Sequence, residues 1–575
     1  MKASDVIVSF LHEQNITDVF GYPGGMVTHL MESLDRQADV IRTHVCYHEQ
    51  AAAFAACGYA QAKQHPAVAF ATSGPGATNL MTGICHAYFD SVPVLIITGQ
   101  VNTYESRGSL KVRQKGFQET DIVAMAADVT KYAVCVRSAT ELYYHLTRAF
   151  YEAVSGRPGP VLLDIPMDVQ RALLEQEDLV AYEPPKRMHK AADTERMAER
   201  ISEILRQAER PCILLGAGCK ISGMQEAVRE LIAQSRIPAV TSMNAVDLLS
   251  GEPGAYGFIG AYGHRAANFV MAKCDCLLTL GSRLDVRQTG ANLQAFAPHA
   301  RLLRVDIDAD EMSHQVKEGE ETFCISLQEL VPVLLRKVTE YPGHMPWRTV
   351  CEAIKTRLEP VTEREAHAQW PAAYLEAIGA ALPPDWIVTT DVGQNQVWVA
   401  QFFQAKVRSI LFSGGHGAMG YSLPAAIGAW YATGRPVLCF TGDGGLQMNI
   451  QELAFLTRED IPVKILVLNN HSLGMIRHFQ EMYFGGNAAM TTADRGYMAP
   501  DFVEIAQAYG VHSRRIETPQ QAVQLAEELR QPHPALYDIQ VGDVTYVYPK
   551  LAMGKPAQDQ DPLLERGLYE VLMNL

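Results

Sequence analysis

The sequence predicts an α/β protein built from three doubly wound parallel-sheet domains. Three observations carry that expectation. A length of 575 residues calls for three to four units at ordinary domain sizes. Short, almost wholly apolar runs alternate with amphipathic helical stretches along the chain, the pattern of strands covered on both faces. Glycine-rich turns close several of those runs, where open α/β sheets bind ligands.

In the first unit, taken as 1–182, the strand-like runs are 19–21, 67–71, 92–97 and 160–164, and residues 183–190 read as a polar, proline-bearing linker. The second unit, 191–340, carries runs at 211–216, 237–241, 276–280 and 302–306. A weakly patterned stretch, 340–370, reads as a second linker, and the third unit, 368–575, opens with the run 387–391. Three units of similar size suggest duplication at the level of whole domains.

Composition narrows the class. With 48% hydrophobic and 20% charged residues the chain is globular, not disordered or fibrous. A formal charge of −15 argues against a nucleic-acid binder. Eleven scattered cysteines without a C-x-x-C pair suggest reduced thiols, with neither a disulfide framework nor a zinc site. An N-terminus without an apolar signal core, and no run reaching the ~18–20 apolar residues of a membrane helix, make a cytoplasmic location the expectation.

The chemistry concentrates in 436–470. An apolar run ends in Thr441-Gly442-Asp443-Gly444-Gly445, a helix-like stretch from Gln447 to Leu456 follows, and a second apolar run ends in Asn469-Asn470. A β-α-β unit puts Asp443 and Asn470 at the carboxyl ends of neighbouring strands. A carboxylate and a carboxamide offer hard oxygens suited to Mg²⁺ or Ca²⁺, and Gly442, Gly444 and Gly445 let backbone N–H groups approach phosphate. The frame, with Asn470 placed 27 positions after Asp443, looks like the signature of thiamine-diphosphate (ThDP) enzymes. His48-Glu49-Gln50 opens an alanine-rich helical run in which Glu49 is positioned to be buried. A carboxyl group bonded to the pyrimidine ring nitrogen lets ThDP's own amine act as the local base, and Glu49 is the candidate. The turn from Thr72 to Asn79 and the glycine-rich loop Gly414 to Gly420, with Met419 as its bulky apolar member, complete the candidate ligand turns.

Over nearly the whole chain the sequence resembles the acetolactate synthase (acetohydroxyacid synthase) catalytic-subunit family. The matching stretches are Gly21 to Gly25, His48 to Gln50, Thr72 to Asn79, Phe117 to Thr120, Gly156 to Pro160, Gly442 to Asn449 and Leu473 to Met475. The resemblance implies pyrimidine-binding, central and diphosphate-binding domains, in a homodimer or tetramer whose active sites are shared between subunits. Glu49, Gln118 and Phe117 are then the catalytic candidates. Gly24, Thr72, Gln394, Asn395, Gly417, Met419, Gly442, Gly444, Gly445 and Met475 would contact ThDP, with Met419 holding its bent shape. Asp443, Asn470 and the Ser472 carbonyl would hold Mg²⁺. FAD, bound without redox use, would meet Arg157, Gly216, Gly218, Arg283 and Asp306. Pyruvate and a second carbonyl compound are the implied substrates, a regulatory subunit a possible partner, and nucleic acid and membrane are not implied.

The departures concern cofactor contacts and the acceptor. Asn395 and Tyr262 stand where the family usually has His, and Ser282 where it has Ala. Ala261, Arg287, Ile476 and Phe479 form the expected acceptor pocket. Phe479 replaces a usual Trp and Ala261 a usual Met, so the pocket should be roomier, while Arg287 matches a proposed carboxylate anchor. A loop about six residues longer than usual carries Arg107, Lys111, Arg113 and Lys115. It is either a solvated surface or a receiver for a larger anionic acceptor. The leading expectation is a carboligase that decarboxylates pyruvate and passes the two-carbon unit to a second 2-keto acid, giving 2-acetolactate. The alternatives are transfer to a bulkier acceptor such as a nucleotide keto sugar, a flavin-dependent pyruvate oxidase, and a non-catalytic regulatory paralogue.

Overall fold

The computed structural model describes residues 1–185, 191–367, 370–403 and 405–575. Three six-stranded sheets, parallel in every strand pair, follow one another along the chain. The first contains β1 (Asp18–Gly21), β2 (Arg42–Val45), β3 (Ala67–Ala71), β4 (Val94–Gln100), β5 (Tyr132–Cys135) and β6 (Val161–Pro166) in the order β2-β1-β3-β4-β6-β5. The second contains β7 (Pro211–Leu215), β8 (Ala239–Thr241), β9 (Ala255–Phe258), β10 (Cys276–Leu280), β11 (Arg301–Asp306) and β12 (Glu321–Cys324), ordered β12-β11-β10-β7-β8-β9. The third contains β13 (Ile387–Thr390), β14 (Ser409–Leu411), β15 (Val437–Gly442), β16 (Val463–Asn469), β17 (His512–Ile516) and β18 (Ala535–Gln540), ordered β14-β13-β15-β16-β18-β17. The first and third sheets share one strand order. The central sheet has the dinucleotide-fold order instead, so the likeness suggested for all three units is confined to the outer two.

Two expectations are corrected. Residues 340–370 are not mainly linker: the helix Met345–His367 fills most of the stretch. Trp347, Cys351, Ile354, Leu358 and Val361 are buried at alternating four- and three-residue spacing, a narrow stripe diluted by charged neighbours. The stretch between β15 and β16 is not one helix from Gln447 to Leu456. A helix starts at once with Asp443–Met448, breaks at Asn449, and resumes at Leu453–Glu459. Of the linker expected at 183–190, residues 186–190 lie outside the described residues.

The first and third domains share a core. Phe54, Ala55 and Tyr59 of the helix Glu49–Lys63 pack in one cluster with Leu423, Ala426 and Ile427 of the helix Ser422–Thr433 and with strands of both sheets. Glycine makes the approach possible: a Cβ on Gly58 would strike the Ala425 backbone, and one on Gly428 the Ala55 carbonyl oxygen. Among the described residues no helix is long and apolar enough to cross a membrane.

Gly428→Val should therefore destabilise the protein by about 1–3 kcal/mol or more through overpacking, seen as a lower urea midpoint with little change in slope.

Candidate active site

The carboxyl ends of β13, β15 and β16 open on a cavity of ≈ 610 Å³. Gln394 and Asn395 reach it from the start of the helix Gln394–Phe402, Gly442, Asp443, Gly444 and Gly445 from the end of β15, and Asn470 and Ser472 from the end of β16. Met419, Met475 and Ile476 complete its cofactor side.

Its oxygen atoms are arranged for a cation. Asp443 is 3% exposed and burial pushes its carboxyl up to about 6, while Oδ2 has no hydrogen-bond partner. Asn470 donates through Nδ2 to Gln394 Oε1 at 2.9 Å and Thr545 Oγ1 at 2.8 Å, which fixes its amide and leaves Oδ1 accepting only a 3.3 Å bond from Ser472 N–H. The Ser472 carbonyl accepts from Gly474 N–H at 2.8 Å and keeps a second lone pair. Asn395 Oδ1 and Ser472 Oγ are likewise buried without partners. One carboxylate with amide and carbonyl oxygens suits Mg²⁺, an ion that usually completes its shell with water and phosphate oxygens.

Two buried carboxylates hold the glycine-rich loop against this cavity. Asp391, at the end of β13, accepts from Val392 N–H, Gly420 N–H, Ser422 N–H and Ser422 Oγ at 2.8–3.1 Å. Asp90 accepts from Gly414 and Gly415 N–H. Gly417, between these anchors, has φ +70°, a conformation that favours glycine. The sequence reading missed both acids. Asp391 had a signal, a carboxylate ending a strand-like run as Asp443 nearly does; Asp90 had none.

A second cluster forms at the carboxyl ends of β1, β3 and β4. Glu49 opens its helix with 8% exposure and accepts from Asn79 Nδ2 at 2.9 Å, and a Cβ on Gly76 would lie 3.2 Å from its Oε1. Thr72 Oγ1 accepts from Met26 N–H at 3.1 Å, and glycine at position 24 makes room for the Thr72 side chain. Gln118 has φ +62°, unusual for a residue with a side chain, and lies against Gly74. Phe117 beside it is 78% exposed. None of Glu49, Gln118, Phe117, Gly24 or Thr72 lines the third-domain cavity.

Around the acceptor side, Ala261, Arg287 and Ile476 line the cavity, but Phe479 does not; it lies one turn further along, against Tyr483 and Phe484. The basic loop is organised by Glu119, whose carboxylate accepts from Ser106 Oγ, Arg107 N–H, Lys115 N–H and Gly116 N–H at 2.6–3.3 Å. Those bonds hold the Glu119 carboxyl below its usual range. Lys115 Nζ reaches the Tyr104 carbonyl and Arg107 the Val112 carbonyl, whereas Lys111 and Arg113 are exposed and form no ion pair among the described residues.

A second cavity of ≈ 280 Å³, which shares Tyr262 and Arg287 with the first, lies at the topological switch of the central sheet, between β7 and β10. Arg157, Gly218, Arg283 and Asp306 line it, together with Ser282 and Tyr262. Gly216 does not; it lets the chain after β7 pass close to Gly281, where a Cβ would strike the Gly281 carbonyl. Arg157 also bridges to Asp308 and Glu311 at 3.1 and 2.7 Å. Closely packed backbone at a switch point, flanked by a carboxylate and arginines, is the ordinary setting for a dinucleotide.

Three family models match the chain: the thiamine pyrophosphate enzyme N-terminal TPP-binding domain over 1–125, the central domain over 198–326, and the C-terminal TPP-binding domain over 391–539. The acetolactate synthase isozyme 2 large subunit of Escherichia coli K12 is 34% identical over 560 residues, covering 96% of this chain and 98% of its own. A probable acetolactate synthase large subunit of Methanocaldococcus jannaschii is 35% identical, covering 94% of this chain and 92% of its own. The acetolactate synthase large subunit of Lactococcus lactis is 33% identical, covering 96% and 95%.

Asp391→Ala leaves several buried donors without an acceptor. It should cost about 3 kcal/mol or more, measured by urea unfolding, and weaken ThDP retention in equilibrium dialysis; Asp391→Asn, which keeps one oxygen, should lose less.

Proposed function

The chain belongs to the acetolactate synthase large-subunit family of thiamine pyrophosphate enzymes, and on that premise we propose how its own residues divide the work. It is a ThDP-dependent carboligase of acetolactate-synthase type. When bound, ThDP supplies the electron sink through which pyruvate loses CO₂ and a two-carbon acyl-anion equivalent is passed to a second carbonyl.

The third-domain cavity takes the diphosphate. Asp443, Asn470 and Ser472 hold Mg²⁺ against it, and the N–H groups of Gly444 and Gly445 meet its oxygens. Met419, close to the backbone of Gly444, would brace the bound cofactor. Glu49 would bond its pyrimidine ring from a buried position and so support the proton transfer that ThDP supplies. Gln118, held in its strained backbone, orients the acceptor, and Phe117 covers it from water. Arg287 meets the carboxylate of a 2-keto acid acceptor.

One observation carries the assembly reading: the Glu49 and Asp443 groups form two clusters, and the cavity at Asp443 has no wall from the first domain. This supports a homodimer in which Glu49, Gln118 and Phe117 of one protomer complete the cavity of its partner. A smaller partner subunit fits the "large subunit" in the relatives' names. The switch-point cavity takes FAD without redox use, through Arg157, Gly218, Arg283 and Asp306. A bulkier, anionic acceptor is the second reading for the ligation step, favoured by exposed Lys111 and Arg113 and by the small Ala261.

Glu49→Gln should lower CO₂ release from pyruvate by about 10²–10⁴-fold, and Asp443→Ala should abolish Mg²⁺-dependent ThDP retention. Unfolded and refolded together in equal amounts, the two variants should recover about a quarter of wild-type activity, since half the dimers would carry one intact site; no recovery would exclude the shared site. Gly218→Val, whose side chain would strike Gly281, should lose bound flavin. In the wild type the flavin should stay oxidised when pyruvate is added without oxygen; bleaching would favour the oxidase.

A further inference from the structure

The C-terminal segment carries a second cation to the acceptor side. Lys550 and Asp561 exchange backbone hydrogen bonds at 2.9 and 2.7 Å. The next residue, Leu551, donates its N–H to the Ala261 carbonyl at 2.6 Å and lines the active-site cavity. The Lys550 ammonium lies 5.8 Å from the centre of the Phe479 ring, on the helix Gly474–Tyr483 that also carries Met475 and Ile476.

This cation is buried and unpaired. Lys550 is 6% exposed, and among the described residues no carboxylate lies within ion-pair distance of its ammonium. Of the other largely buried cations, Lys220, Arg265 and Arg304 pair with Asp247, Glu365 and Glu320, while Lys273 and Lys464 donate to the Met573 and His533 carbonyls; Lys550 Nζ has neither kind of partner among the described residues. Asp561 attracts the ammonium without reaching it, and Glu481 on the helix is committed to Arg477 at 3.1 Å. His478, 1% exposed, sits beside the edges of Tyr546 and Tyr548 with both ring nitrogens lacking a partner. Burial and the Lys550 charge push its imidazole down to about 4, so it is neutral near pH 7, with one N–H free to donate. A largely buried ammonium without a carboxylate and a buried imidazole with neither nitrogen bonded are costly arrangements, and a bound anion that accepts from both relieves them.

We propose that Lys550 and His478 form an anion-recognising subsite behind Phe479 for a carboxylate or phosphate that the acceptor carries several atoms away from its carbonyl. The proposal rests on the carboligase reading and gives its acceptor a chemical class. Arg287, exposed at the cavity and without a carboxylate partner among the described residues, takes the anionic group nearest the reacting carbonyl. Lys550 takes the distal one. The Phe479 ring is against the ammonium, and the neighbours Leu551 and Ile476 line the cavity, so movement of that ring would join the subsite to it.

Two matched acceptor pairs test this with the full-length enzyme, Mg²⁺, ThDP, FAD and labelled pyruvate: 2-oxoglutarate against 2-oxopentanoate, and glyceraldehyde 3-phosphate against glyceraldehyde. CO₂ release is followed alongside ligated product. The wild type should prefer the anionic member of at least one pair by about tenfold in kcat/KM, the size of one net charge-assisted hydrogen bond. K550M should bring that ratio close to one, K550R should keep most of it, and the carboxylate and phosphate pairs separate the two kinds of anion. CO₂ release and ligation with no preference in either pair, or a preference that K550M leaves intact, would overturn the subsite while the carboligase reading stands. Absence of both CO₂ release and ligation would overturn both.

Discussion

Close contact between two small-residue helices determines where everything else in this protein can lie. Helices Glu49–Lys63 and Ser422–Thr433 meet through Gly58 and Gly428 at a separation no larger side chain allows. Their alanines merge the first and third domains into one core. The start of the Glu49 helix is then fixed by third-domain groups: Glu452 Oε1 accepts from Tyr47 N–H at 2.8 Å, and Asn449 Nδ2 donates to Gln50 Oε1 at 3.3 Å. Burial pushes the Glu452 carboxyl up to about 8, so the contact is made by an acid that is mostly protonated near neutrality. Glu49 is thereby held by its own chain's diphosphate domain, yet outside that domain's cavity. A site held in two separate parts of one chain is what the proposed homodimer would bring together.

Which parts of the fold were legible follows from burial. Strands covered on both faces, such as β3, β7, β10, β15 and β16, are continuous apolar runs, and the sequence marks them within a few residues. All six edge strands, β2, β5, β9, β12, β14 and β17, escape it, and so does the interior strand β18, whose apolar run is interrupted by Asp538. An edge strand is partly wet and reads as half-polar, as Arg42–Val45 and His512–Ile516 do. The helix Met345–His367 escapes for a related reason: its buried stripe is narrow and its other faces are charged.

The candidate site was legible where chemistry dictates residue type. Asp443, Asn470 and the glycines around them are recognisable because a metal-bridged diphosphate needs hard oxygens and bare backbone at strand ends. The groups that hold those residues in place were not. Asp90 and Thr545 act across long separations in the chain, and nothing local distinguishes them from any surface Asp or Thr. Phe479 is a different case: its place on the helix suggested a pocket wall, and the structure sets it one turn past the cavity-lining Ile476, against Tyr483, Phe484 and Lys550.

Glu119 clasps both ends of the basic loop, bonding Ser106 and Arg107 on one side and Lys115 and Gly116 on the other. The stretch 108–114 is therefore a tether closed by Glu119, with one further tie to the neighbour of Gln118: Gln114 Nε2 donates to the Glu119 carbonyl at 3.1 Å. Lys111 and Arg113 make none of these bonds, so exchanging them changes the charge of the tether and leaves the Glu119 bonds in place. Such an arrangement separates the residues that set the charge of the loop from the single carboxylate that sets its shape.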